Sequence, residues 1–470
     1  MKKTKIVCTI GPACESKETL AELAKAGMNV ARFNFSHSTH DWHLERMNRV
    51  KEVRDELGLP IAILLDTKGP EYRIKTFKEN KIFLNDGDTF TFTTRDVVGT
   101  KEIVSVSYPH LHEDLSVGDI ILLNNGLVKF EIKEINGQDI ICTTLIGGEL
   151  SNRKSMSFPN KVLSQPFLSE QDKDDLKFGV ENGVDFFALS FVSSKQDLLD
   201  VKEYFKTLGF DCQGSLIAKI ENQSGIDNIK EICEECDGIM IGRGDMGVEI
   251  PFEELPAVQK KIITNCRLLG KRVIIATEML ESMTTNPRPT RAEISDVANA
   301  VYDGTSAIML SGETASGEHP VLCVETMAKI AECTEQNINY AKRFYDSDFS
   351  IKNTTDAISH STVGMAIDID AKAIAVCTMS GTTARMVSRF RPTVDILGLT
   401  TDIKTYYKLA LSWGVTPALV DVYDSTEVMF GTAKDKIKKE FDLQSGDLVV
   451  ITGGTSTQSG NTNLIKVETL

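Results

Sequence analysis

Two hydrophobic rhythms alternate along the chain. In the first, a short continuous apolar run is followed by a stretch with helical spacing. Residues 6–10 precede a predicted helix over 17–26, and residues 30–35 precede one over 41–57. The run 62–65 ends in Asp66-Thr67-Lys68-Gly69-Pro70. From about residue 71 to 165 the period falls to two, as in Thr89-Phe90-Thr91-Phe92-Thr93. Asp86-Gly87, Asn125-Gly126 and Asn136-Gly137 punctuate this stretch as turns, so it reads as all-β. The first rhythm returns after Ser169 with a helix over 170–181. Apolar strands follow at 185–192, 215–220, 238–241, 272–276 and 307–310, each with a helix-like stretch after it.

Strands buried on both faces read as continuous apolar runs, and right-handed βα units close naturally at eight. With the β insert skipped, eight such units run from Ile6 to Leu310. A third unit begins near residue 349, with strands over 372–378, 394–400 and 447–452 and helices over 384–390, 404–412 and 432–441. The predicted fold is α/β. It has a (β/α)8 TIM barrel (1–70 and 166–345), an inserted small β-barrel lid domain (71–165) and a C-terminal open α/β domain (346–470).

Composition narrows the function. The length of 470 residues calls for several domains, and a net charge of −15 argues against nucleic acid and anionic membranes as partners. A local basic pocket for a phosphorylated ligand is compatible with it. No apolar run reaches a membrane span, and MKKTKIVCTIG reads as a first strand, not a signal peptide. Ten cysteines lie without framework spacing, several inside apolar strands, which favours a reducing cytoplasm. Cys233-x-x-Cys236 has metal or redox spacing, but its acidic neighbours disfavour a thiolate, so it reads as structural. His37, His40 and His43 share a helix edge without a carboxylate shell and do not read as a metal triad.

Active sites of such barrels lie at the C-terminal strand ends. Collected there are Arg32, Asn34 and Ser36 after strand two, Asp66 and Thr67 after strand three, and Lys219 and Glu221 after strand five. Strand six ends in Gly242-Arg243-Gly244-Asp245 and strand seven at Thr277. Glu221 and Asp245 suit a hard divalent cation, Mg²⁺ above all, while Lys219 and Arg32 supply charge for a phosphate or carboxylate. Cations plus Mg²⁺ are the apparatus of phosphoryl transfer. No glycine-lysine phosphate loop is present, so a nucleotide would sit between barrel and β insert, which could close over it and exclude water.

At these residues the chain resembles pyruvate kinase. The likeness is carried by Thr9-Ile10-Gly11-Pro12, Arg32-Phe33-Asn34-Phe35-Ser36-His37 and Leu65-Asp66-Thr67-Lys68-Gly69-Pro70-Glu71. It continues in Ile217-Ala218-Lys219-Ile220-Glu221-Asn222, Gly242-Arg243-Gly244-Asp245-Met246-Gly247-Val248-Glu249, Asn286 to Glu293 and Met309-Leu310-Ser311-Gly312-Glu313. The resemblance implies phosphoryl transfer from phosphoenolpyruvate to ADP, giving pyruvate and ATP. It implies Mg²⁺ (or Mn²⁺) on Glu221 and Asp245, and K⁺ at Asn34, Ser36, Asp66 and Thr67, with Glu71 the acidic form that accompanies potassium dependence. Lys219, Arg32 and Thr277 would be catalytic, and Arg32, Lys219, Gly244, Asp245 and Thr277 would hold substrate. Asn34, His37, Arg73 and Lys154 would contact nucleotide. A homotetramer is implied too.

The chain departs from the family's usual residues at Asn124-Asn125, Ser155 and Asn160 in the lid, and at Ser38 and Ser193. These changes bear on lid closure and nucleotide affinity. In the C-terminal unit, Thr378, Ser380, Gly381, Thr382 and Thr383 lead into a helix, where hydroxyls and amides suit a phosphorylated effector. The bland alternative there is an ordinary helix cap, and the loop 453–463 could fold over the site. Two other functions stay open on sequence: another Mg²⁺-enolate barrel acting on pyruvate, and an inert barrel carrying a sensor domain.

Overall fold

Each barrel strand is short, apolar and buried on both faces, and that composition sets the architecture. The computed structural model describes residues 2–159, 161, 163–454 and 462–470. Eight parallel strands close a ring in the order Lys5–Thr9, Ala307–Leu310, Arg272–Ala276, Gly238–Gly242, Leu216–Ile220, Phe186–Leu189, Ala62–Asp66 and Val30–Asn34. Alternate residues fill two cores. Val7, Leu64, Phe186 and Ile274 fill the barrel interior, and Ile6, Cys8, Phe33 and Leu65 pack outward against the helices. Register brings Asn34 and Ala188 opposite Asp66, which levels the strand ends that carry the chemistry.

The helices start where the sequence offers caps. Ser16 accepts from Thr19 N ahead of Lys17–Ala26, and Ser169 and Thr290 form reciprocal capping boxes. Such caps stabilise a helix by about 1 kcal/mol each. The three histidines diverge. His37 is exposed, His40 lies 2.6 Å from Asp175, and His43 stacks on Phe35 at 4.1 Å. All ten cysteines are free thiols, and Cys233 and Cys236 are buried.

The segment between Ala62–Asp66 and Glu170–Glu181 forms a seven-stranded sheet and a two-stranded ribbon around Phe90, Phe92 and Phe130. One short helix, Leu111–Asp114, interrupts what the sequence presents as all-β. Asn124, Asn125 and Gly126 all take positive φ, a backbone asparagine tolerates, so the Asn-Asn pair suits this turn. Asn160 lies outside the described residues.

The C-terminal unit has five strands in the order Val415–Leu419, Asp395–Thr400, Ala373–Cys377, Leu448–Gly454 and Thr462–Thr469. The last pairs antiparallel and the others are parallel. Both edge strands are additions to the sequence-based reading. Val415–Leu419 carries Pro417, tolerated because the strand is at an edge. Thr462–Thr469 is half exposed and lacks a continuous apolar run. Among the described residues no helix is long and apolar enough to cross a membrane.

Candidate active site

Lys219 is the hub of the barrel mouth. It is the fourth residue of Leu216–Ile220, and its side chain, 11% exposed, points along the barrel axis side of that strand end. Its Nζ lies 3.0 Å from Asp66 Oδ1, 3.0 Å from Glu221 Oε1 and 2.6 Å from Ser190 Oγ. Arg32 Nε donates to Asp66 Oδ2 at 2.6 Å, and its Nη1 donates to Thr9 Oγ1 at 2.9 Å. Strands two, three and five thus meet in one buried charge network. Glu221 also accepts from the Phe191 amide at 2.9 Å, and it lies over Gly242, where any Cβ would approach its Oε1 to 2.6 Å. Glycine at 242 is therefore a steric requirement of the carboxylate's position.

Asp245 sits in the short helix Arg243–Glu249 and opens to solvent at the mouth. Thr277 follows Arg272–Ala276, and its Oγ1 accepts from the Gly244 amide at 2.9 Å. Thr277 and Glu278 both have positive φ, at 69° and 56°, a conformation that costs a non-glycine residue on the order of 1–3 kcal/mol. Arg243 holds it in place by donating to the carbonyls of both residues while bridging to Asp296.

The electrostatics divide these groups into two kinds. Burial alone would raise the Asp66 carboxyl, but Lys219 and Arg32 hold it below the usual carboxylate range. Burial likewise opposes charge on Lys219, yet Asp66 and Glu221 push it up to about 12. Glu221 is the opposite case. Burial and the neighbouring Asp245 and Asp66 outweigh Lys219 and push it up to about 7. Asp245 is also raised, first by loss of surrounding water and then by Glu71 and Asp66. Two oxygen-donor side chains short of positive charge fit a hard divalent cation. No third His, Cys, Asp or Glu completes a protein cage among the described residues. Mg²⁺ bound by one or two carboxylates, with water and substrate oxygens completing its shell, has that donor set. Glu221 and Asp245 are thus the pair that could hold it.

Asn34 and Asp66 are register partners, and Ser36 donates its amide to Asn34 Oδ1 at 3.1 Å. Thr67 lies beside them, bound through its carbonyl by Ser190 Oγ at 2.6 Å. This gathers four oxygen-bearing residues at one strand-end corner, with Asp66 shared between Arg32 and Lys219. A cleft of about 360 Å³ runs from Asp245 to the inserted sheet, between Glu71, Arg73 and Ser155 on one side and Ser193 and Asn222 on the other. Arg73 pairs with Glu71 at its edge. His37 and Lys154 do not line this cleft. Glu249 on the barrel side accepts from Ser157 and the Phe158 amide of the insert, so insert and barrel are in contact.

Two residues of the mouth went unread in the sequence. Ser190 couples Lys219 to Thr67, and it lies one position past Phe186–Leu189, where the strand-end rule would have found it. Arg243 lies inside a quoted motif, but its hold on Thr277 depends on the tertiary fold.

In the C-terminal unit, Gly381 caps Thr382–Arg389 with φ 78° and no side-chain cap bond. The hydroxyls of Ser380 and Thr382 lie 3.1 Å apart, and Thr383 bonds Thr462 at 2.6 Å. Thr378 ends the strand side of the same loop, its amide donating to Leu399 O at 2.9 Å. The covering loop expected there falls largely on residues 455–461, outside the described residues.

Known proteins share this arrangement along the whole chain. A model of the pyruvate kinase barrel domain matches residues 1–324, and one of the pyruvate kinase alpha/beta domain matches 356–468. A pyruvate kinase of Clostridium acetobutylicum is 45% identical over 100% of this chain and 99% of its own length. One of Geobacillus stearothermophilus is 45% identical, with this chain covering 80% of it. A crystal structure of a pyruvate kinase from Cryptosporidium parvum superposes with a TM-score of 0.94 at 35% identity, over 100% of this chain and 96% of that one. A Lys219-centred mouth, a β insert above it and an α/β unit below it, matched from end to end by these relatives, make this chain a member of the pyruvate kinase family.

Proposed function

We propose that the barrel mouth transfers the phosphoryl group of phosphoenolpyruvate to ADP, yielding pyruvate and ATP. The observation that carries this reading is Lys219, held fully protonated within 3.0 Å of both Asp66 and Glu221. The bond between phosphorus and the enol oxygen breaks, a bond from a terminal ADP oxygen to phosphorus forms, and the enolate takes a proton at carbon. Mg²⁺ or Mn²⁺ on Glu221 and Asp245 supplies, when bound, positive charge to the phosphoryl and carboxylate oxygens.

The chain's own residues do the rest. Lys219 and Arg32 offset charge on the moving phosphoryl oxygens, and they are aimed in advance by Asp66, Ser190 and Thr9. Gly244, Asp245 and Thr277 flank the substrate carboxylate, and the Thr277 hydroxyl stands on the side where the enolate is protonated through water. Asn34, Ser36, Asp66 and Thr67 hold K⁺. Arg73 takes the nucleotide in the cleft, Asn34, His37 and Lys154 contact the parts of it that extend past the cleft lining, and the β insert keeps bulk water away. Thr378, Ser380, Gly381, Thr382 and Thr383 take a phosphorylated effector, and the protein works as a homotetramer.

A coupled assay for pyruvate, with Mg²⁺ and K⁺ present and ADP supplied or omitted, tests this. Pyruvate should form only with ADP. ADP-independent pyruvate would instead favour a lyase acting on the same enolate.

A further inference from the structure

An ammonium has three N–H donors, and Lys219 Nζ has three partners. They are Asp66 Oδ1 at 3.0 Å, Glu221 Oε1 at 3.0 Å and Ser190 Oγ at 2.6 Å. The neutral hydroxyl is the nearest of them. To meet a phosphoryl oxygen, Lys219 has to exchange one of these contacts, and the contacts it keeps decide where it is held during transfer.

Ser190 is 2% exposed and is tied to Thr67 twice. Its amide donates to Thr67 Oγ1 at 3.2 Å, and its Oγ donates to the Thr67 carbonyl at 2.6 Å. A hydroxyl carries one proton and a carbonyl only accepts, so that proton is spent on Thr67 and the lone pairs face Lys219. Turning the hydroxyl toward a phosphoryl oxygen would break the Thr67 bond, and a bond to a buried carbonyl is expensive to leave unmade. The backbone is equally constrained. A Cβ on Gly69 would come within 2.8 Å of Ser190 Cβ and 2.9 Å of its carbonyl oxygen, so the close approach of these two segments requires glycine. Phe191, next along, has φ 59°, which a non-glycine residue holds only where its surroundings fix it. Its amide donates to Glu221 Oε2 at 2.9 Å, and the Val192 amide donates to the Lys219 carbonyl at 3.2 Å. Glu221 therefore has an anchor of its own when it gives up Lys219.

We propose that Ser190 is the positioning residue of Lys219 in phosphoryl transfer: its hydroxyl keeps hold of Nζ while a carboxylate contact is exchanged for a phosphoryl oxygen. This role rests on the transfer reaction assigned to the mouth. Ser190 touches no reacting atom and acts through Lys219 alone.

Four forms of the full chain test this: wild type, Ser190→Ala, Lys219→Met and the double variant. Each is assayed for phosphoryl transfer from phosphoenolpyruvate to ADP and for exchange of pyruvate methyl protons with solvent. Ser190→Ala should lower kcat for transfer by about tenfold or more, the worth of one hydrogen bond to a charged group. Proton exchange, served by Thr277, should stay within about twofold of wild type. Added to Lys219→Met, Ser190→Ala should cost nothing further, because the group it acts through is already gone. Ser190→Cys, whose thiol fills the site but is a weak donor and acceptor, carries the same comparison should Ser190→Ala fail to fold. Transfer unchanged or faster in Ser190→Ala would make Ser190 the contact given up to the substrate. An equal fall in both reactions would show a general distortion of the mouth, and a further loss in the double variant would show an action apart from Lys219. Each of these results overturns the proposal. Absence of ADP-dependent pyruvate in the wild type is a separate result, which sinks the transfer reading and this role with it.

Discussion

The two ends of the barrel treat charge in opposite ways. At the mouth, Lys219 and Arg32 are met by Asp66 and Glu221 at 2.6–3.0 Å. At the base, Arg267, Arg272 and Arg391 are met by hydroxyls and carbonyls. The mouth shows its shortage on the acid side, where Glu221 is pushed up to about 7. The base shows it on the cationic side. The mouth therefore fits a cation and an anionic substrate together, whereas the base settles its guanidiniums on neutral oxygens and on the rings of Phe349, Phe186 and Trp413.

Two perturbations bear on this contrast. The largest effect is expected from Glu221→Gln, which removes one acidic donor at the mouth and one partner of Lys219. Turnover should fall by at least about a hundredfold, the worth of one preorganised group in a dry site, and the Mg²⁺ needed for half-activation should rise. Unchanged Mg²⁺ dependence in a steady-state titration would remove Glu221 from the cation's shell.

The smallest effect concerns Asp185, a buried acid at the base end of strand Phe186–Leu189 that lies 3.5 Å from Arg54 and accepts from the Ile63 amide at 2.8 Å. Burial pushes its carboxyl up to about 6. A folded-state value above the unfolded one means the folded chain keeps a proton that the unfolded chain has released. Stability from this group is therefore full below about pH 4 and is lost as pH rises to about 6. Asp185→Asn should abolish that loss. In urea unfolding, the variant should gain on the order of 2 kcal/mol over wild type between pH 4 and pH 7. A gap that stays flat or narrows would contradict the burial argument.

Much of this contrast could be read from the chain, and part could not. Strands such as Arg272–Ala276 and helices such as Lys17–Ala26 were legible because continuous apolar runs and caps like Ser16 are local signals. The mouth was legible because barrel topology sends every strand end to one place, so Asp66, Lys219 and Thr277 could be grouped without knowing their distances. Strand Val415–Leu419 was hidden by Pro417, and Thr462–Thr469 by its exposed edge. The arginine cluster at the base was invisible for a different reason. Its members come from a helix, a strand start and a loop, and only the docking of the C-terminal unit on the barrel base brings them together. Ser190 and the Arg243 hold on Thr277 belong to the same class, contacts made by the tertiary fold.

The most direct test of the mouth is Lys219→Met, assayed in two ways on one preparation: phosphoryl transfer from phosphoenolpyruvate to ADP, and exchange of pyruvate methyl protons with solvent. Phosphoryl transfer should drop by at least about a hundredfold while proton exchange stays measurable, because Lys219 serves the moving phosphoryl group and Thr277 the carbon. Loss of both reactions to the same degree would contradict that division of labour.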